Sequence, residues 1–75
     1  ANTKAAIAAY EEAVALNPSS SEALGKLAFH QLNRGKNAEA ADLANRAITL
    51  DATNSEGWIV LGAARHALRD REGAR

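Results

Sequence analysis

Residues 55–68 read SEGWIVLGAARHAL, and 34 positions earlier residues 21–34 read SEALGKLAFHQLNR. In this alignment Ser21 falls on Ser55, Glu22 on Glu56 and Leu27 on Leu61, while Leu24 meets Trp58 and Ala28 meets Gly62. Apolar and small residues recur three and four apart in both stretches, which is the spacing of one face of an α-helix. The same offset extends outward. It pairs Ala6 with Ala40 and Ala74, Ala13 with Ala47, Val14 with Ile48, Leu16 with Leu50, Asn17 with Asp51 and Ser19 with Thr53. A fixed period of this length marks stacked supersecondary units. A plain four-helix bundle needs no such repeat.

Four helices follow from the pattern. The opening helix is expected over residues 3–17, with Ala6, Ile7, Tyr10, Ala13, Val14 and Leu16 on its apolar side. Pro18 ends it, because proline lacks the amide that continues the ladder and restricts the residue before it. Ser19 and Glu22 have capping-box spacing and start the second helix, which runs to about residue 33. Gly35 then offers a left-handed exit. The third helix is expected over residues 37–50 and the fourth over residues 55–68, with Thr53 and Glu56 repeating the cap. Asp70 reads as the cap of a fifth helix. Alanine is about a quarter of the chain, and β-branched and aromatic residues are scarce. An all-α fold agrees with both.

The 75 residues suffice for one small domain, too small for an independent enzyme with its own substrate cavity. Nine basic residues balance nine acidic ones, which removes the electrostatic footprint of a nucleic-acid binder. The chain has no cysteine, hence no disulfide framework and no thiolate metal site. Its apolar runs are a few residues long, against the roughly 20 that cross a bilayer, so no membrane insertion is expected. Ala1 to Lys4 do not open a signal peptide, and the cytoplasm is favoured without being fixed. With no methionine even at position 1, the chain reads as a piece of a longer protein.

These residues resemble the tetratricopeptide repeat family, whose unit is a pair of antiparallel helices in 34 residues with a W-x2-L-G-x2-Y signature. Trp58, Leu61 and Gly62 match that signature, with Arg65 in the place of tyrosine. Leu24, Leu27, Ala28 and Gln31 form a weaker version, and Gly35 stands at the family's turn glycine. Ala6, Tyr10, Ala13 and Pro18 match the small–large–small pattern and closing proline of the family's second helices. Ala40, Ala44 and Ala47 match it with a smaller middle residue. Ala52 stands where proline is usual and Arg69 where glycine is usual.

The resemblance implies a right-handed α-solenoid of antiparallel helix pairs, here four helices and the start of a fifth. Residues 1–20 would be the second helix of a partial repeat, 21–54 a complete repeat, and 55–75 the truncated start of another. It also implies a concave groove lined by the first helices of successive units, presented to a peptide or helix of a protein partner. The groove residues would be Glu22, Lys26, Phe29, Leu32 and Asn33, followed by Glu56, Ile59, Val60, Ala63 and His66. Gly25 and Ala67 flank them. Some family members hold a C-terminal carboxylate with lysine and asparagine side chains. Gly25, Phe29, Ile59 and Ala63 stand at those positions here, so an apolar strip is expected instead of a carboxylate clamp.

Neither chemistry nor cofactor is expected. His30 and His66 read as exposed helix-face residues without the further ligands a metal needs. Serines 19 to 21 read as turn and cap residues. Glu11, Glu12, Asp42, Arg46, Asp70 and Arg71 read as solvated charges. The expected function is a protein–protein interaction scaffold. The alternative is an accessory module of a larger enzyme or assembly that recruits a substrate or associates with itself through unpaired end helices.

Overall fold

The computed structural model describes residues 3–73, with side-chain environments described for residues 4–70. Four helices follow one another: α1 (Thr3–Leu16), α2 (Ser21–Asn33), α3 (Asn37–Leu50) and α4 (Ser55–Gly73). There is no strand among the described residues. α1 and α3 begin and end 34 residues apart, and so do the starts of α2 and α4.

The turns repeat at the same period, bond for bond. Asn17 N–H donates to Ala13 O at 2.9 Å, and Asp51 N–H to Ala47 O at 3.0 Å. The side-chain oxygen of Asn17 accepts from Ser19 N–H at 3.3 Å, and that of Asp51 from Thr53 N–H at 3.0 Å. Ser20 Oγ then accepts from Ala23 N–H at 3.2 Å, and Asn54 Oδ1 from Gly57 N–H at 2.9 Å. The caps are therefore Ser20 and Asn54, one residue later than the expected Ser19 and Thr53. Ser19 and Thr53 belong to Asx turns, in which a short side chain stands in for a backbone carbonyl. Those turns also explain how α3 ends without a proline: Asp51 takes up the Thr53 amide and, at 2.6 Å, the Thr53 hydroxyl.

α2 ends as the glycine predicts. Gly35 has φ 81°, and its N–H donates to Leu32 O at 3.0 Å while Lys36 N–H reaches back to Gln31 O at 3.0 Å. This paired closure is the Schellman motif, which only a residue free to adopt positive φ completes without strain. The expected fifth helix is corrected by the same logic. The position 34 residues after Gly35 is Arg69, which supplies no such exit, and α4 runs unbroken through Asp70 to Gly73. Ala74 and Arg75, into which the fifth helix would have continued, lie outside the described residues.

α2 packs on α1, α3 and α4, and α3 packs on α2 and α4, whereas α1 and α3 do not touch. The least extent of the fold is 17 Å, which holds two helix layers at the usual 8–10 Å axis spacing. α2 and α4 form one layer and α1 and α3 the other. The core lies between them: Ala28 of α2, Ala40, Ala44 and Ile48 of α3, and Val60, Leu61 and Ala64 of α4. Alanines predominate because the helices approach closely. A Cβ at Gly57 would stand 2.8 Å from Ile48 Cγ2 and 3.5 Å from Ala47 Cβ.

Two predictions follow from this packing. Ala47 is fully buried against α4, so Ala47→Leu overpacks the contact and lowers stability by about 1–3 kcal/mol in chemical denaturation. An unchanged midpoint would place Ala47 at the surface. The second concerns Asp51, whose carboxyl is held below its ordinary value of 3.8 by the Thr53 hydroxyl first and the Thr53 amide second. A depressed carboxylate stabilises the fold above the unfolded-state pKa, and the contribution disappears as pH falls through the folded value. Thr53→Ala therefore raises the Asp51 pKa in an NMR titration.

Candidate functional site

α2 and α4 lie side by side and parallel. Their N-termini are fixed to each other, because Asn54 Nδ2 donates to Ser21 O at 3.0 Å and to Ser21 Oγ at 2.8 Å. Ser21 Oγ in turn donates to Ala47 O at 2.8 Å. One turn further along, Lys26 Nζ stands 3.4 Å from Glu56 Oε1 across the two helices. Both side chains are over a third exposed, so this pair adds at most about 1 kcal/mol, and its consequence is orientation.

The outer face of this pair divides into three zones. Near the N-termini it is charged, with exposed Glu22 and half-buried Lys26 and Glu56. In the middle it is apolar: Phe29 is 40% exposed and Ile59 66% exposed, with exposed Ala63 beside them. At the far end it is polar, with exposed Asn33 and His66; His66 Nε2 lies 3.9 Å from Asp70 Oδ2. Leu32 is half-buried and packs against the core, so only its edge is available. Gly25 is buried, and a Cβ there would stand 3.1 Å from Asn54 Nδ2. Ala67 is half-buried.

Val60 is a correction. The sequence places it on the groove beside Ile59, but it is fully buried and belongs to the core with Ala28 and Ala44. Lys26 holds the same position in the preceding unit and is half-buried. The flank of α4 that carries Val60 is packed into the core between α2 and α3. The change from lysine to valine between equivalent positions was the available signal.

Other side chains depart from the sequence reading or escape it. His30 is half-buried, with its ring stacked on Tyr10 of α1 at a centroid distance of 5.5 Å. Trp58, a signature residue, is 53% exposed, and its indole N–H donates to Ala52 O at 2.7 Å. Leu16 and Leu50, equivalent by the repeat, are both exposed. A cavity on the opposite side of α2 draws on three helices and was not legible in any one of them. No group of three His, Cys, Asp or Glu among the described residues could hold a metal ion. None of the described helices is long and apolar enough to cross a membrane.

The helix pairing, the 34-residue recurrence of caps and turns, and the exposed face on alternate helices define a helical-repeat protein. The tetratricopeptide repeat family model matches residues 1–64, and the chain belongs to that family. Repeats of this family are protein–protein interaction modules. No curated protein and no solved structure shows significant similarity to the chain.

Charge substitutions separate the core side of α4 from its outer face. Val60→Glu buries an unpaired carboxylate, which costs several kcal/mol, and helicity collapses in circular dichroism. Phe29→Glu leaves helicity nearly unchanged, because its ring already reaches solvent. Loss of helicity in the Phe29 variant would make that residue part of the core.

Proposed function

We propose that the outer face of α2 and α4 binds a helical or extended segment of a protein partner. The observation that carries this reading is the apolar patch of Phe29, Ile59 and Ala63, exposed on two adjacent parallel helices and bordered by charge at one end. Anchors on neighbouring helices suit the helix- or peptide-in-groove mode, in which apolar side chains supply affinity and a polar rim supplies register. Full burial of a Phe or Ile side chain yields about 1.5–3 kcal/mol, so completing the burial of these two is a substantial driving force. Glu22, Lys26 and Glu56 would set the direction of the bound segment, and Asn33 and His66 would offer hydrogen bonds at its other end. In this reading residues 21–54 are one complete repeat, and α1 and α4 belong to the units on either side.

Peptides selected for binding from a displayed random library, mapped by amide chemical-shift perturbation on the 75-residue chain, test the proposal. The expected shifts cluster at Lys26, Phe29, Ile59 and Ala63, and Phe29→Glu combined with Ile59→Glu removes binding while the fold persists. Perturbations confined to α1 and α3 would overturn it.

A further inference from the structure

We propose that the cavity between α1, α2 and α3 is a second binding site, which takes the guanidinium of an arginine side chain carried by a basic peptide. Successive residues of a helix are about 100° apart, so Leu27 and Gln31 lie on the side of α2 opposite Phe29. The cavity thus opens away from the α2–α4 face, and the proposal stands independently of the function argued for that face. It exists because α1 and α3 both pack on α2 without touching each other. Its volume is about 430 Å³, within the range of ligand pockets.

The lining selects a cation. Gln31 forms part of it, is only 5% exposed, and its Oε1 has no hydrogen-bond partner among the described residues. A buried amide oxygen without a donor is rare and costly, and a donor brought by a ligand removes that cost. The terminal torsion of a glutamine is soft, so Oε1 turns readily toward a donor that enters the cavity. Around it stand the carboxylates of Glu11 from α1 and of Glu39 and Asp42 from α3, all exposed. None of the three is in an ion pair among the described residues, where the pairs are Lys26–Glu56 and His66–Asp70. No basic residue lines the cavity, while Leu27 and Leu43 supply apolar wall.

Carboxylates and an amide oxygen are acceptors, so the complementary ligand carries donors, positive charge and an aliphatic stem. A metal ion does not meet this description, because the carboxylates do not converge into a metal-binding group. A guanidinium does: its five N–H donors are spread over a plane and address several separated acceptors together. An ammonium offers a compact charge and serves such a spread set less well.

The test uses the 75-residue chain, labelled with ¹⁵N and titrated with the blocked tripeptide acetyl-Gly-Arg-Gly-amide. The lysine and citrulline analogues are titrated in parallel. The expected shifts lie at Glu11, Glu39, Asp42 and the Gln31 side-chain amide, and binding weakens as salt is added. Affinity falls about tenfold for the uncharged citrulline peptide, and about as much for the double variant Glu39→Gln, Asp42→Asn. These exposed positions tolerate the change, and unaltered circular dichroism verifies the fold. Glu12→Gln, outside the lining, leaves binding unaltered. Equal binding of the citrulline peptide, or an unaffected double variant, overturns the proposal. So does the absence of localised shifts at low millimolar peptide, or shifts at Phe29 and Ile59 in their place. Lysine binding as tightly as arginine overturns the guanidinium assignment.

Discussion

Three helices meet at the side-chain amide of Asn54. Its oxygen takes the Gly57 amide and so caps α4, while its nitrogen donates to the backbone and hydroxyl of Ser21 at the start of α2. Ser21 passes the connection to Ala47 O in the last turn of α3. The groups satisfied here are those that helix termini leave without intrahelical partners, and they are partly buried where water cannot fully replace the bonds. Gly25 permits the arrangement, since a side chain on that residue would press into the Asn54 amide. Ser20, the equivalent residue one unit earlier, caps α2 with its hydroxyl and makes no other side-chain bond. The asparagine therefore adds to a cap the register between two helices that are parallel and adjacent.

That register generates both surfaces of the molecule. With α2 and α4 tied at their starts, Lys26 meets Glu56 and the exposed Phe29 and Ile59 share one face. α1 and α3, on the other layer, are kept apart by the width of α2 and leave the acidic cavity above Leu27 and Gln31. One face is apolar with a charged border, and the other is an apolar-walled hollow with a carboxylate rim. A single geometric asymmetry between helices of alternate phase accounts for the difference.

The fold was legible because its determinants are local and recur. Pro18, Gly35 and the alanine pattern mark helix ends and close contacts within a few residues of sequence. The cap positions were harder, since Ser19, Ser20 and Ser21 are equally competent caps by type, and only the Asx turns of Asn17 and Asp51 decide among them. Asp70 misled in a similar way: it is a good cap by type, but with Arg69 in place of a turn glycine nothing interrupts α4. The face of α2 and α4 was partly legible, since Phe29 and Ile59 follow from repeat position. Val60 did not, because whether its flank is covered depends on how α4 sits between α2 and α3. The cavity required Glu11, Gln31 and Asp42 to be brought together from three helices, which no periodicity encodes.

Equilibrium denaturation of Asn54→Ala beside Ser20→Ala tests the role given to Asn54 most directly. Both substitutions remove a helix cap, worth about 1 kcal/mol. Asn54→Ala also leaves the Ser21 carbonyl and hydroxyl without their donor, which adds about 1–3 kcal/mol. The account predicts a clearly larger loss for Asn54→Ala, accompanied by amide shift changes at Ser21 and Lys26 as well as in α4. Equal losses, with changes confined to the first turn of α4, would contradict it.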